Sequence, residues 1–229
     1  MAFVFSPSNM STYQQCPRKF EAQSLTKEIK WKATQQKSRG TLVHNAMEKA
    51  MKDGFDAVRQ WPDGVDMDFV RQRVDIVRQM VALGCSLHIE HELVINRQFQ
   101  SVDWWDENAL LRAKADAIII PPTMDTPISI LDIKTGKKWD EEDFQLRAEC
   151  LLAHAIYKFP LVQYAYWYVD SGEISSGLID FRNGIEPVRD IIETMNEMGQ
   201  AINANHFEPK ENRFCKWCGL YKTPGCGLS

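Results

Sequence analysis

Two carboxylates and a lysine in the middle of the chain have the types and spacing that metal-dependent phosphodiester hydrolysis needs. Asp132 and Lys134 stand two residues apart at the end of an apolar run, and the two-residue period of a strand places both side chains on one face. Asp116 lies in the preceding apolar run, so pairing of the two strands would bring its carboxylate beside Asp132. Two hard oxygen ligands in one cleft suit magnesium or manganese, and Lys134 could position or help to deprotonate an attacking water.

The acidic-x-Lys spacing is weak evidence on its own. The same spacing occurs at Glu28–Lys30 and at Glu208–Lys210. Residues 132–134 differ because an apolar strand precedes them, a second apolar strand holds Asp116, and Thr135-Gly136 turns the chain away. Taken alone, the tripeptide would be interpreted as a surface salt bridge at a strand end.

Three further polar residues could face the same cleft. His44 lies in the first turn of a predicted helix and, taken alone, would be an ordinary hydrogen-bonded helix histidine. Gln145 and Glu149 are four residues apart, so they share one face of a later helix. For Glu149, a plain polar helix face is a fair alternative.

The cysteines form a second constellation. Cys85 and Cys150 fall within helical patterns and are interpreted as buried small apolar residues. The other four comprise one near the start of the chain and three at its end, namely Cys16, Cys215, Cys218 and Cys226. Four such thiolates could hold tetrahedral zinc or a [4Fe-4S] cluster, and their spacing does not separate the two.

Hydrophobic periodicity predicts the elements that must position these residues. The predicted helices run from a serine-capped start at Ser6 to about Leu25, from Gly40 to Gly54, from Phe69 to Gly84, from Glu142 to Tyr157 and from Pro187 to Asn203. The predicted strands cover residues 92–102, 110–120, 128–134, 162–169 and 177–181. The cysteine-rich tail from Phe207 is expected to be irregular.

Composition limits the class of protein. Apolar residues make up 44% and charged residues 25% of the 229, and no apolar run approaches the roughly 18 residues of a membrane span. We therefore expect a soluble protein, without membrane association, in a reducing cytoplasm.

The net charge of −4 argues mildly against a protein that coats nucleic acid. Between Cys16 and Gly40, however, seven basic residues face two acidic ones and could lie against a phosphate backbone, namely Arg18, Lys19, Lys27, Lys30, Lys32, Lys37 and Arg39.

Aromatic residues cluster in two places. Trp104-Trp105 stands between two predicted strands and is a candidate for stacking on unpaired bases. Four aromatics crowd one predicted strand and are better explained as sheet packing, namely Tyr164, Tyr166, Trp167 and Tyr168.

The order of the polar motifs resembles a known nuclease family. Gly40-Thr-Leu-Val-His44 is followed by Asp116, by Asp132-Ile-Lys134 and by Gln145-Leu-Arg-Ala-Glu149. This order is similar to that of RecB-like nucleases of the PD-(D/E)XK superfamily, above all their CRISPR-associated members. The chain departs from many of these relatives at Glu149, where tyrosine is common.

The resemblance implies roles for individual residues. His44, Asp116 and Asp132 would hold Mn²⁺ or Mg²⁺, with the Ile133 carbonyl as a further ligand. Lys134 would be catalytic, together with both aspartates, and Gln145 would serve the same centre from the following helix.

A second part of the resemblance concerns the cysteines. The segment Cys16-Pro17-Arg18-Lys19-Phe20 is similar to that of iron-sulfur members of the family, which have one cysteine before the nuclease core and three after it. It favours a structural [4Fe-4S] cluster over zinc and implies that residues 1–40 and 205–229 form a cluster-binding cap on one nuclease domain spanning 1–229.

The expected fold is α/β, a restriction-endonuclease-like central mixed sheet flanked by helices. The expected function is hydrolysis of single-stranded or end-exposed DNA, with a preference for exonuclease action.

One alternative is a weakly active or inactive DNA-binding subunit of a recombination or CRISPR spacer-acquisition assembly. Another is a zinc-stabilised interaction protein in which the Asp-Asp-Lys set is coincidental. A separate helicase, annealing protein or integrase could be the partner.

Overall fold

The computed structural model describes residues 3–29, 35–136 and 143–228, with the side chains of 35–38 left out. Its α-helices are α1 (Pro7–Gln15), α2 (Pro17–Phe20), α3 (Gln35–Asp53), α4 (Met67–Ala82), α5 (Phe144–Tyr157) and α6 (Arg189–Ala204).

Among the described helices, none has the length and apolar character needed to cross a lipid bilayer.

The predicted first helix is wrong as one continuous element. Ser6 caps α1 as expected, since its hydroxyl accepts from the Asn9 amide. Cys16 is extended, with φ −166° and ψ 112°, because the proline ring at position 17 disfavours helical backbone in the residue before it. Pro17 then begins α2, which passes into a π-helical turn over Glu21–Leu25. The second predicted helix also starts earlier than Gly40, at Gln35.

A five-stranded mixed sheet lies at the centre, as the sequence predicted. Its order is β1-β2-β3-β4-β5, with β3 and β4 parallel and the other neighbours antiparallel. Helix α5 lies in the connection between the two parallel strands, which cannot be joined by a tight turn. The strands are β1 (Ser86–Asn96), β2 (Ala109–Ile120), β3 (Ile128–Lys134), β4 (Leu161–Tyr168) and β5 (Glu173–Asp180).

The first strand was predicted at 92–102, and β1 instead covers Ser86–Asn96. It ends at Asn96 because the Asn96 side-chain oxygen accepts the amides of Gln98 and Gln100, each at 3.0 Å. This is the local turn that asparagine favours. Polar residues hid the beginning of the strand, and the fifth strand likewise begins four residues earlier than expected.

Helices cover both faces of the sheet. Alternation along β3 sends Ile128 and Ile130 into one core with α1, α5 and α6, and Leu131 and Ile133 into a second core with α3 and α4. Asp132 and Lys134 have the same parity as Ile130, so they share its face of the sheet and meet α5.

Strand β1 changes faces at Glu90. Leu87 and Ile89 pack with the α3–α4 core, whereas Leu93 and Ile95 pack with the α5 core, although all four positions are odd. Glu90 has φ +51°, a left-handed conformation that L-residues rarely adopt. This residue therefore turns the strand over.

Strand β2 changes faces opposite that point. Ala113 and Ala115 pack with the α5 core, and Ala117 and Ile119 with the α3–α4 core. The change falls at Asp116, across from Glu90, and the pairing register of β1 with β2 is the same on both sides of it. Two acidic residues thus occupy matching positions where both strands turn.

Strands β2 and β3 diverge at the same place. Their backbone pairing ends at Ala117–Leu131. Beyond it, the Ile133 amide donates to Asp116 Oδ2 at 2.7 Å, so a side chain replaces the sheet partner. We call the space between the diverging ends of β2 and β3, beside Asp116, Asp132 and Lys134, the cleft.

The N-terminal segment occupies the edge of β2 that β3 leaves open. The Phe5 amide donates to the Leu110 carbonyl at 2.8 Å, and the Phe5 carbonyl accepts from the Arg112 amide at 3.0 Å. The backbone groups of this part of β2 are therefore paired, although β3 has turned away.

Candidate active site

Asp132, Lys134 and Gln145 meet where β3 ends beside α5. Asp132 is 6% exposed, and its Oδ2 lies 3.0 Å from Lys134 Nζ. Gln145 Nε2 donates to Asp132 Oδ1 at 2.9 Å, and Gln145 Oε1 accepts from Lys134 Nζ at 3.5 Å. The amide therefore holds the carboxylate and the ammonium in one arrangement, with the Tyr166 ring 5.2 Å from Lys134 Nζ.

Glu149 joins this group from the next turn of α5. Its Oε1 accepts from Gln145 Nε2 at 3.0 Å, and the side chain is 1% exposed. Among the described residues, Glu149 Oε2 has no hydrogen-bond partner. Burial first, then the charge of Asp132, raises the pKa of Glu149 to about 8, so the buried acid is mostly protonated at neutral pH.

The surroundings of Asp132 also disfavour its charged form. Burial raises the pKa of Asp132, the Lys134 ammonium opposes this, and the Asp116 carboxylate adds to it. Its Oδ2 makes no well-directed hydrogen bond with the described residues and depends on the ion pair with Lys134. A buried carboxylate without full compensation favours a further positive charge nearby.

His44 on α3 faces Asp116 on β2. The distance from His44 Nδ1 to Asp116 Oδ1 is 3.2 Å. The hydrogen bond to Asp116 raises the pKa of His44, although its burial works in the opposite direction. Asp116 thus points one oxygen at the imidazole and the other at the Ile133 amide.

Glu90 is a site residue that the sequence analysis missed. One donor atom each of His44, Glu90 and Asp116 lie within 4.8 Å of one another, and within the described ranges this is the one group of three or more histidine, cysteine or acidic residues so close together. Glu90 Oε2 also pairs with Lys114 Nζ at 2.7 Å. The signal available was the run Glu90-His91-Glu92, three polar residues that break the strand alternation.

These donors fit a divalent cation. Two carboxylates and one imidazole are ligands that manganese and magnesium accept. Asp116 belongs to this group, and its charge also acts on Asp132. Asp132 is outside the group of three, so its predicted role as a ligand, like that of the Ile133 carbonyl, stays a prediction.

Arg39 connects the start of α3, which carries His44, to the end of β3, which carries Lys134. The Arg39 guanidinium makes two hydrogen bonds to Asp170, at 2.9 and 2.8 Å, and Asp170 also accepts the Gly136 amide at 2.6 Å. The predicted turn at Thr135-Gly136 is confirmed, with Gly136 at φ +95°, a conformation that glycine adopts readily.

Two arginines of the basic segment are therefore engaged within the protein. Arg39 binds Asp170, and Arg18 pairs with Glu21 and Glu28. Lys30, Lys32 and the Lys37 side chain lie outside the described residues.

The four predicted ligand cysteines line one cavity, together with Arg18 and Lys19. Backbone amides point at two of the sulfurs. The Lys210 amide donates to Cys16 Sγ at 3.3 Å, and the Asn212 amide donates to Cys215 Sγ at 3.2 Å. Such bonds stabilise thiolates that ligate metal. The segments before α2 and after α6 thus meet around a sulfur-rich site.

The two remaining cysteines lie elsewhere. Cys150 is buried within α5, as predicted, and burial raises the pKa of its thiol. Cys85 is only partly buried against the α3–α4 core, so the expectation of full burial is wrong for it, because it follows the turn that ends α4.

The aromatic residues of β4 are all buried, which confirms the packing interpretation. Trp104 and Trp105 lie in the connection between β1 and β2, with the Arg112 guanidinium 4.7 and 5.4 Å from their rings. Trp105 is 84% exposed. Three acidic residues flank the pair, namely Asp103, Asp106 and Glu107.

A mixed sheet covered by helices, with acidic residues and a lysine converging where two strands diverge, defines a restriction-endonuclease-like fold with a metal-binding centre. The chain belongs to the PD-(D/E)XK nuclease superfamily, whose family model matches residues 4–222. Membership implies a metal-dependent nuclease that acts on DNA.

No curated protein sequence gave a significant match. Among solved structures, the crystal structure of SSO0001 aligns with a TM-score of 0.49 at 14% identity, over 96% of this chain and 84% of that one. At this level of similarity, the alignment carries no functional inference.

Glu90→Gln is expected to weaken Mn²⁺ binding at least about tenfold, because it removes a charged donor from the group of three. Isothermal titration of the purified protein with Mn²⁺ measures this. Glu92→Gln, two residues along β1 and exposed, is the matched control. Equal affinities for the parent and Glu90→Gln proteins would remove Glu90 from the ligand set.

Glu149→Gln is expected to stabilise the protein, in the absence of added divalent metal, at pH 8 but hardly at about pH 4. An unfolded glutamate loses its proton near its ordinary pKa of 4.5, whereas folded Glu149 keeps it to about 8. The folded state therefore binds more protons in this range, and stability falls as pH rises through it. Since one pKa unit corresponds to about 1.4 kcal/mol, the gain at pH 8 should be on the order of a few kcal/mol.

Urea unfolding at the two pH values measures this difference. Exposed Glu107→Gln is the control and should show no pH-dependent gain. A gain for Glu149→Gln that is the same at both pH values would mean that packing, rather than proton binding, is responsible.

Proposed function

We propose that the protein is a deoxyribonuclease that digests single-stranded or end-exposed DNA, with a preference for exonuclease action. One observation carries the proposal. Lys134 pairs with Asp132 and bonds to Gln145, and Asp116, whose charge acts on Asp132, belongs to the group of possible metal ligands with His44 and Glu90. The preference for free ends is supported by the resemblance to RecB-like nucleases.

The chain's own residues divide the work of hydrolysis. A divalent cation, when bound, neutralises phosphate charge and lowers the pKa of a water, which can then lose a proton and attack the phosphorus. We assign the binding of that cation to His44, Asp116 and Glu90, with Asp132 and the Ile133 carbonyl as the further predicted ligands. Lys134 positions the attacking water and helps to remove its proton.

Gln145 is a positioning residue in this proposal. Its amide bridges Asp132, Lys134 and Glu149, so it fixes the direction of the lysine side chain. Protonated Glu149 lowers the negative charge of the cleft, which eases the approach of a phosphate.

We further propose that Cys16, Cys215, Cys218 and Cys226 hold a structural [4Fe-4S] cluster. The amide-to-sulfur hydrogen bonds at Cys16 and Cys215 support thiolate ligation. The preference for an iron-sulfur cluster over zinc is supported by the resemblance of Cys16–Phe20 to the corresponding segment of iron-sulfur members of the family.

The cluster would join residues 1–40 and 205–229 into one cap on the nuclease domain. Contacts between the two segments support this, since Arg18 Nε donates to the Gly225 carbonyl at 2.8 Å and Asn212 Nδ2 to the Gln15 carbonyl at 3.0 Å. A separate helicase, annealing protein or integrase is the proposed partner, since free ends must come from other activities.

Lys134→Ala should lower the rate of DNA cleavage at least about 100-fold, because it removes the group that orients and deprotonates the water. End-labelled single- and double-stranded DNA, with manganese, magnesium or chelator, measures the loss of label. The control is Lys49→Ala, an exposed lysine on α3. If Lys134→Ala digests DNA as fast as the parent, the centre is misassigned. No cleavage by metal-replete parent protein would favour a DNA-binding subunit.

Cys218→Ser should abolish iron binding and lower the thermal stability, because metal ligation contributes to the folding free energy. Protein purified without oxygen should carry about four irons and four sulfides per chain. Cys85→Ser, outside the cavity, is the control and should retain both. Zinc in place of iron in the parent protein would refute the iron-sulfur assignment.

A further inference from the structure

The segment around the last three cysteines exposes aromatic rings beside cations. We call it the tail patch and define it by three neighbouring pairs, Arg213 with Phe214, Lys216 with Trp217, and Lys222 with Tyr221. In each pair the cation lies over the ring, at 4.8, 4.2 and 5.5 Å from the centroid respectively.

The exposure of these rings is unusual for aromatic side chains. Trp217 is 70% and Phe214 40% exposed, whereas the aromatic residues of β4 are buried. A 3₁₀ turn over Cys215–Trp217 brings the two rings together, with centroids 6.2 Å apart and planes inclined by 44°. Exposed neighbouring rings offer stacking faces to a planar apolar ligand.

The charge of the tail patch differs from that of the whole protein. Residues 210–222 contain four basic residues and one acidic residue, in a chain with a net charge of −4. The exposed Trp105 also has a cation over its ring, Arg112, but three acidic residues flank it, namely Asp103, Asp106 and Glu107. A phosphate backbone is therefore attracted more strongly to the tail patch than to the surroundings of Trp105.

The tail patch is attached firmly to the body of the protein. Lys210 Nζ donates to the Gln14 carbonyl at 3.2 Å, and Asn212 Nδ2 donates to the Gln15 carbonyl at 3.0 Å. Gln14 Nε2 in turn bonds to Thr194 Oγ1 on α6 at 2.9 Å. The turn that carries Phe214 and Trp217 thus starts from a fixed point, so stacking there costs little ordering of the chain.

We propose that the tail patch is a second DNA-contacting surface, which binds unpaired DNA by stacking bases on Phe214 and Trp217 while Lys216 and Lys222 neutralise phosphates. Alternating rings and cations are the chemistry that single-stranded nucleic acid requires. A duplex of the same length hides its base faces and should bind more weakly. The inference rests on the proposed function, because it supplies the surface that holds the substrate of the nuclease centre.

The test is the affinity of the full-length protein for a fluorescent 20-nucleotide thymidine homopolymer, measured by anisotropy without divalent metal so that the strand stays intact. Trp217→Ala should weaken binding about tenfold or more, as the loss of one stacked base does, and Trp217→Phe should retain most of the affinity. Iron content, measured on each variant, ensures that the cysteine site is unchanged.

The salt dependence tests the cations separately. The double variant Lys216→Gln/Lys222→Gln should lower the slope of log affinity against log salt by about 1.4, since each phosphate contact on a single strand contributes about 0.7. Lys49→Gln/Lys52→Gln changes the net charge equally, at two exposed ion-paired lysines of α3, and should leave the slope unchanged.

Three results would overturn the proposal. They are unchanged affinity in both tail-patch variants, equal binding of duplex and single strand, and loss of affinity confined to Trp105→Ala, which would place the contact between β1 and β2. Failure of the proposed nuclease function is a separate result. A protein that binds through the tail patch but cleaves no DNA refutes only the catalytic assignment, and one that cleaves DNA with intact affinity in the variants refutes only the tail patch.

Discussion

The hydrogen bond from the Ile133 amide to Asp116 Oδ2 is the interaction on which the candidate site depends. Where β2 turns over and leaves β3, the Ile133 amide would lose its sheet partner, and a buried amide without a partner costs roughly as much as a lost hydrogen bond. The Asp116 carboxylate replaces that partner. The same residue therefore closes the gap in the sheet and presents its other oxygen to His44. Strand divergence, which would otherwise leave a backbone amide without a partner, thus brings the Asp116 carboxylate to the end of β3.

The cleft concentrates acidic groups and limits their charge in two ways. Lys134 and Gln145 neutralise or hydrogen-bond Asp132, and burial keeps Glu149 protonated near neutral pH. The electrostatic repulsion is therefore smaller than it would be between two charged carboxylates without partners in the same volume. The arrangement favours binding of an additional cation, because the charge that a cation neutralises is already assembled. Arg39 and Asp170 hold α3, which carries His44, against the end of β3, which carries Lys134. The helix and the strand therefore keep their spacing.

Much of this could be predicted from the sequence, because residue type and order constrain it strongly. The predicted mixed sheet, the meeting of Asp132, Lys134 and Gln145, and the approach of His44 to Asp116 agree with the structure. Glu90 was missed, because simple alternation assumes that a strand keeps its faces, and β1 reverses them there. The break of the first helix at Pro17 was visible in the sequence, since proline restricts the residue before it. The positions of the four cysteines predicted that they come together, and they do line one cavity. The choice between an iron-sulfur cluster and zinc stays a prediction, because the spacing suits both.

The position of the four cysteines also sets an order of events during synthesis. Cys16 is synthesised well before its three companions, which lie at positions 215, 218 and 226. Because domains begin to fold as they emerge, the sheet and its acidic cleft can assemble before the cysteine site is complete. Any chain that stops before Cys215 has one of the four sulfurs and lacks Trp217, the most exposed ring of the tail patch. The cluster proposed for this site could therefore be inserted only into chains that have been synthesised as far as Cys226.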